Sequence, residues 1–315
     1  MREAVVLLNM GGPNNLQEVE MFLTNMFNDP YIIRTKSAVL RKLIASIITW
    51  SRVKKSQEIY RQIGGKSPLV ELTRSLVSKV QNEIGDGVIV DFIMRYTPPM
   101  AHEVCTRLKE QGVEKVYLIP LYPQYSSTTT QSSLDDFEAA AHAIDWDVVS
   151  VEIKHFFENS TYNECLIERI KEALDGDRAN EYDLIFSAHG LPQNIVDGGD
   201  PYARHVTRQV DLIKMLLKEQ HINFNDIHLA YQSKVGPMKW LEPSLESALG
   251  SLKSKKVILL PIAFTVDNSE TDFELSIEYA DVAHTIGIET YRVCRCPNDH
   301  PLFVKTIAEL YSKMK

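Results

Sequence analysis

Short apolar, β-branched runs alternate along the chain with longer segments whose apolar positions recur every three to four residues. The short runs at 4–8, 88–94, 115–121, 148–153, 184–187, 227–231, 256–262 and 289–293 predict strands. The longer patterns predict helices near 16–25, 38–50, 69–83, 100–111, 132–143, 162–174, 202–219, 240–249, 270–283 and 301–313. Strands that alternate with helices in this way read as βα units, so the class is α/β with parallel sheets. Several of the strands are apolar on both faces, as parallel strands covered by helices must be.

The pattern also repeats. VVLLNMGGP at 5–13 resembles LIFSAHGLP at 184–192, VDFIMRYTP at 90–98 resembles IHLAYQSKVGP at 227–237, and KVYLIPL at 115–121 resembles KVILLPI at 256–262. The three pairs fall in the same order. Two similar halves are therefore expected, 1–147 and 148–295, meeting near Asp145, Trp146 and Asp147. A C-terminal helix within 296–315 is expected to pack back on the first half. Ligands of open parallel sheets bind beyond the carboxyl ends of the strands. The loops there, at 9–15, 122–131, 188–194 and 264–271, would line one cleft if the halves faced each other.

Composition narrows the class. With 315 residues, 44% hydrophobic and 24% charged, the chain is an ordinary globular protein of about two domains. A net charge of −8 argues against a nucleic-acid partner, whose phosphates require clustered Lys and Arg. No apolar run approaches the ~20 residues that cross a bilayer. The start of the chain passes directly into a strand with no signal-peptide pattern, so a cytoplasmic location is expected. Four Cys are too few for a disulfide framework, which agrees with a reducing compartment.

Several chemical motifs are incomplete or absent. Gly65, Lys66 and Ser67 look like the end of a phosphate-binding loop, but Tyr60 stands where its first Gly belongs and Pro68 follows at once. No strand is followed by G-x-G-x-x-G, and no G-x-S-x-G is present. Cys294 and Cys296 are separated by Arg295 alone, and neither Cys105 nor Cys165 joins them by spacing, so the thiols read as inert.

Three features carry candidate chemistry. His189 ends a strand between small residues, where it either hydrogen-bonds within its loop or serves as a metal ligand or proton acceptor. Glu270, Glu274 and Glu278 recur every four residues, so on an α-helix they share one face within about 80°. Asp267 and Glu270 have the spacing of a helix cap with its reciprocal partner, and the three Glu could be plain solvated surface. The other reading is a carboxylate track that attracts a divalent cation and delivers it at Glu270. One His and one carboxylate make a poor permanent metal site, because catalytic zinc usually has three protein ligands, and they suit a site that passes a metal on. Finally, residues 39–50 are rich in large apolar side chains, with Arg41, Lys42, Arg52, Lys54 and Lys55 among and beside them. This segment reads either as a core helix with a basic outer face or as an apolar lip facing a flat ligand or anionic lipid.

Read together, VVLLNMGGP (5–13), IGGKSPL (63–69), LYPQYS (121–126), FSAHGLP (186–192), GDPY (199–202), YQSKVGPMKW (231–240) and PIAFTVDNSET (261–271) resemble the ferrochelatases, over nearly the whole chain. The resemblance implies a chelatase fold of two flavodoxin-like, Rossmann-like halves related by pseudo-duplication. It implies insertion of Fe2+ into protoporphyrin IX with release of two protons, the last step of haem synthesis. In that reading His189 and Glu270 are the catalytic and metal-handling pair. Asp267, Glu274 and Glu278 form the acidic approach, and Met10, Arg95, Tyr96, Tyr122, Ser126 and Trp240 contact the porphyrin. Residues 38–63 would form a porphyrin lip, with peripheral membrane contact through 39–50. Iron enters as substrate and no permanently bound cofactor is expected. Many members have His where Asn268 stands, and members with an iron–sulfur cluster have Cys where Ser127 stands and a cysteine-bearing extension at the C-terminus, so no cluster is expected. Coproporphyrin-using relatives tend to have Tyr at the position of Met10, which with the YQSKVGPMKW segment points to protoporphyrin. The same residues would also suit a chelatase for coproporphyrin III, cobalt or nickel, or a porphyrin or haem carrier without turnover.

Overall fold

A computed structural model describes residues 2–234 and 238–315. The segment YQSKVGPMKW therefore includes three residues, 235–237, that lie outside the described ones. The chain divides into two compact units.

The first unit comprises the chain up to Tyr122, Ser126–His155 and Val304–Lys315. Its elements are β1 (Arg2–Asn9), α1 (Glu18–Phe27), α2 (Ala38–Gln62), α3 (Leu69–Ile84), β2 (Val88–Met94), α4 (Ala101–Glu110), β3 (Val113–Pro120), a π-helical segment Ser127–Gln131, α5 (Ser132–Ala143) and β4 (Val149–Glu152). The strands form a parallel sheet in the order β2-β1-β3-β4. Val5, Val6, Leu7 and Leu8 of the central β1 are fully buried, because helices cover both faces. The expected boundary at 147/148 moves to beyond His155: β4 pairs with β3, Lys115 opposite Val149, and completes the first sheet.

The second unit comprises Pro123–Tyr125 and Phe156–Phe303. It contains α6 (Ser160–Leu174), β5 (Asp183–His189), α7 (Gln193–Asp197), α8 (Tyr202–Glu219), β6 (Asp226–Gln232), α9 (Leu245–Ser251), β7 (Lys256–Pro261), a π-helical segment Glu270–Glu278, α10 (Tyr279–Thr285) and β8 (Thr290–Val293). Its parallel sheet has the order β6-β5-β7-β8, the same arrangement as in the first unit. The final helix, α11 (Pro301–Met314), begins here and contributes residues 304–314 to the first unit.

Two helices differ from their sequence patterns for local reasons. The helix expected at 240–249 is confined to Leu245–Ser251. Pro243 has no N–H and disfavours helix at the residue before it, and Ser244 then caps the start by accepting from Ser247 N–H at 3.2 Å. α2 runs on to Gln62 because no Gly or Pro interrupts it before Gly64. Its apolar stripe faces solvent: Val39 is 80% exposed, Leu43 58%, Ile47 58% and Trp50 82%. A core helix with a basic outer face is thus the wrong description of this segment, since only Ala45, Thr49 and Tyr60 of α2 are buried.

Candidate active site

His189 is the last residue of β5, paired with Gln232 of β6. The chain turns at Gly190, whose N–H donates to the Gln232 carbonyl at 2.8 Å. A Cβ at position 190 would stand 2.7 Å from that oxygen and 3.1 Å from the Trp240 ring, so only glycine allows the approach. Beyond the turn, Leu241 N–H donates to Leu191 at 3.0 Å and Gln193 N–H to Lys239 at 2.8 Å. The hydroxyl of buried Tyr202 donates to the His189 carbonyl at 3.0 Å. The backbone of His189 is therefore fixed from three directions. Its Nδ1 lies 2.6 Å from the Gly190 carbonyl oxygen. A carbonyl can only accept, so in the neutral ring Nδ1 carries the proton and Nε2 presents its lone pair.

Glu270 arrives from the loop after β7. Its N–H donates at 2.7 Å to the side-chain oxygen of Asn268, which is buried. Its Oε1 stands 3.6 Å from His189 Nε2, outside hydrogen-bond range but close enough for a charge to act. Its Oε2 is buried and has no hydrogen-bond partner. Phe264 meets the imidazole edge-on, with ring centroids 6.4 Å apart. The imidazole at the end of β5 and the carboxylate at the start of the π segment thus come together within one unit.

The helix that carries the three Glu is not the α-helix expected over 270–283. Residues Glu270–Glu278 are π-helical and only Tyr279–Thr285 is α. Tyr279 N–H bonds the carbonyl of Glu274, five residues back. In that register residues four apart fall just short of a full turn instead of just past it, so the carboxylates share a face either way. Sequence spacing is blind to the difference. Glu274 accepts the Ser233 hydroxyl at 2.6 Å, and Ser233 has the left-handed φ of 65°. Burial, and then the charge of Glu270, push the Glu274 carboxyl up to about 7. Glu278 is exposed at the far end of the segment. Burial and Asp267 likewise raise Asp272 to about 6.

Asp267 is engaged elsewhere. Its two carboxylate oxygens accept from Cys296 N–H at 3.0 Å and from the Asn298 amide at 2.6 Å. It does not cap the helix with Glu270, because the acceptor near Glu270 is Asn268.

The first-unit candidates form a supporting network. Arg95 N–H donates to the Asn9 carbonyl at 2.8 Å and Tyr96 N–H to the Met10 carbonyl at 2.9 Å, which holds Met10 from behind. The Arg95 guanidinium pairs with Asp29 and Asp136, each at 3.2 Å, and stacks over Tyr96 at 5.1 Å. Tyr96 is 4% exposed, its hydroxyl on Asp29 at 2.7 Å, so the structure places it in the core. Tyr122 is half-buried with its hydroxyl 3.2 Å from Ser133 Oγ. Ser126 is buried and opens the first π segment. Trp240 is buried against Gly190 and bridges Pro192.

Asn268, Ser233, Tyr202 and Gln232 support the pair, and the last three are not singled out by the sequence. Only Asn268 carried a local signal, as a cap-forming residue type two positions before Glu270. The four cysteines are buried and unbridged, with burial lifting Cys105 and Cys165 to about 12, so they are poor nucleophiles. Among the described residues no group of three or more His, Cys, Asp or Glu converges on a common point.

Two parallel four-stranded sheets of matching order, each with a π segment after its third strand, are the two-half chelatase fold. SirB of Bacillus subtilis, solved with Fe3+, superposes with a TM-score of 0.58 at 13% identity, covering 100% of this chain and 96% of that one. CbiX, the terminal enzyme of sirohaem biosynthesis in denitrifying bacteria, does so with a TM-score of 0.55 at 13% identity, covering 99% of each. The ferrochelatase family model matches residues 2–315. The chain is 59% identical over 314 residues to the ferrochelatase of Sulfurimonas denitrificans, covering 100% of this chain and 99% of that one. It is 50% identical over 313 residues to that of Wolinella succinogenes, covering 99% of each. The chain belongs to the ferrochelatase family, and is a metal chelatase of the lyase class.

Proposed function

We propose that this chain inserts ferrous iron into protoporphyrin IX, with His189 accepting a pyrrole proton and Glu270 receiving the incoming cation. The observation that carries this reading is an imidazole Nε2 at 3.6 Å from Glu270 Oε1, with Glu270 Oε2 buried and unpartnered. Insertion replaces two pyrrole N–H bonds by bonds to one Fe2+. Two protons leave and no electron is transferred. The imidazole is set up for the first proton by its tautomer, since Nδ1–H is spent on Gly190. Once protonated, it is stabilised by the adjacent Glu270 charge. Glu274, raised to about 7, can release its proton to water near neutral pH, leaving a carboxylate for an arriving cation. Glu278, exposed, is the outer end of this line.

Asp267 is left out of the delivery path, because its carboxylate holds the 296–298 segment. Met10, Tyr122, Ser126 and Trp240 are assigned to the porphyrin, with Arg95 and Tyr96 acting through Met10. Apolar contact at the macrocycle rim supplies the binding energy that bends the ring and bares its nitrogen lone pairs. Iron is a substrate here, and the proposal includes no resident cofactor or cluster.

The test is an anaerobic assay with protoporphyrin IX and Fe2+ or Zn2+, following the porphyrin absorption bands and proton release. Turnover is expected with protoporphyrin and weaker turnover with coproporphyrin III. Binding without turnover would make the chain a carrier, and turnover only with cobalt or nickel would make it another chelatase.

A second partner is favoured by α2. Its exposed Val39, Leu43, Ile47 and Trp50 lie on one helix face with Lys54, flanked by Lys42 and Lys55, on a chain whose net charge is −8, while Arg41 and Arg52 lie on the opposite side, Arg52 over the Phe27 ring. No described helix is long and apolar enough to cross a membrane. A cytoplasmic protein resting on an anionic bilayer through this face fits both observations. Sedimentation with phosphatidylglycerol vesicles should retain wild type and release Trp50→Ser combined with Ile47→Ser. Equal retention of the two would remove the lipid assignment.

A further inference from the structure

Both π segments start on the same local turn. Ahead of the first, Ser126 Oγ accepts the N–H of Thr128, two residues on, at 3.2 Å. Ahead of the second, Asn268 Oδ1 accepts the N–H of Glu270, two residues on, at 2.7 Å. Such turns satisfy a donor that a helix start leaves open and compete with an α-helical path. In the second unit the residue held in this way is Glu270.

Asn268 is 6% exposed and every polar group it has is used. Its amide nitrogen donates to the Val266 carbonyl at 3.3 Å. Its backbone N–H donates to Thr271 Oγ1 at 3.0 Å, and its carbonyl accepts the Thr271 hydroxyl at 3.0 Å and Asp272 N–H at 2.9 Å. A carboxylate at this position would lose the bond to Val266 and add charge beside Asp267, Glu270 and Asp272. An alanine would leave the Glu270 N–H without its acceptor. The neutral amide is the side chain that meets both requirements.

We propose that Asn268 is a positioning residue of the metal-insertion site, whose amide oxygen fixes the Glu270 backbone so that the carboxylate stands beside His189. This rests on the roles given above to His189 and Glu270. A displacement of about 1 Å at a reacting group can slow a reaction on the order of 10²-fold, and losing one anchoring bond should displace Glu270 by less.

The experiment compares full-length wild type, Asn268→Ala, Asn268→Ser and Glu270→Gln with protoporphyrin IX and Zn2+, with thermal midpoints recorded for each. Asn268→Ala should lower kcat about tenfold and raise the KM for Zn2+ about threefold, leaving the porphyrin KM unchanged. Asn268→Ser should return kcat to within about threefold of wild type, because a hydroxyl can accept in the same turn, as Ser126 does. The isosteric pair Asn268→Thr and Asn268→Val repeats the contrast between acceptor and non-acceptor if the alanine variant does not fold. Wild-type kinetics in Asn268→Ala or Asn268→Val, or equal impairment of acceptor and non-acceptor variants with intact midpoints, would overturn the proposal. Turnover retained by Glu270→Gln would instead overturn the underlying reading of the site, so the two failures are distinct.

Discussion

At the carboxyl end of β1 the chain reads Asn9, Met10, Gly11, and at the matching end of β5 it reads Ala188, His189, Gly190. Both turns depend on glycine, for different reasons. Gly11 has a φ of 85°, and a Cβ there would stand 2.4 Å from Thr97 Oγ1, whereas Gly190 is confined by Gln232 and Trp240. After the third strand, both units enter a π segment from a side-chain-capped turn. The first segment reads Ser127, Thr128, Thr129, Thr130, Gln131 and carries no charge, while the second begins with Glu270 and continues through Glu274 to Glu278. The architecture therefore supplies the glycine turn at a strand end and the π start twice, and base and carboxylate once. Fold alone does not specify the chemistry; the side chains placed at two equivalent turns do.

The largest effect should come from exchanging the chemistry at those turns. His189→Ala and Glu270→Gln should each reduce chelation by at least about tenfold, toward the 10²–10⁴ associated with lost proton transfer, while porphyrin still binds. Met10→Ala, at the equivalent turn, should raise the porphyrin KM a few-fold with little change in kcat, since it removes apolar contact and no proton acceptor. Steady-state kinetics on the three variants check this directly. A kcat for Met10→Ala as low as that for His189→Ala would break the asymmetry between the units.

A smaller effect, on stability, isolates Glu274, a desolvated carboxylate of the second unit's π segment with no counterpart in the first segment. Glu274 has its folded pKa raised from 4.5 to about 7, mainly by burial. A raised value means that the protonated side chain is the one the fold prefers. Its favourable contribution is complete below about 4.5 and is lost as pH rises through about 7. Glu274→Gln stays neutral at every pH and can still accept from Ser233. It should match wild type at pH 4.5 and gain about 1–3 kcal/mol at pH 8, or a few degrees in thermal midpoint. Added Zn2+ should close part of that gap by stabilising wild type. Parallel melting curves at the two pH values, with no divergence, would show that Glu274 is not desolvated as described.

Much of this contrast was legible in the chain. The pairing of Val5 and Leu184 runs, and of the 115–121 and 256–262 runs, gave the duplicated sheets because strand period and turn residues are local properties. His189 stood out as a chemistry-bearing residue at a strand end, and Glu270 as the head of a row of Glu spaced four apart. The π register did not, because a four-residue spacing keeps Glu270, Glu274 and Glu278 on one face in either helix type. The role of Asp267 was also hidden, since its partners Cys296 and Asn298 lie about thirty residues away and are brought to it by β8 and the loop that follows. Ser233 and Tyr202 belong to the same category: each acts through one long-range hydrogen bond that no periodicity records.

The smallest effect is expected at Glu278, and it separates two descriptions of the carboxylate row. Glu278 is exposed, so its charge acts through water and is screened by salt. If the row guides cations, Glu278→Gln should raise the KM for Zn2+ roughly twofold at low ionic strength, leave kcat unchanged, and lose even that difference near 0.5 M salt. A plain solvated face predicts no change in KM at any salt concentration. A fall in kcat would place Glu278 in the insertion step itself, which its distance along the π segment from Glu270 argues against. Measured against Glu270→Gln, the same titration reports how steeply the influence of the row declines from the imidazole outward. A steep decline means that one carboxylate does the work in the second unit, and a shallow one means that the whole charged face distinguishes it from the hydroxyl-bearing segment of the first.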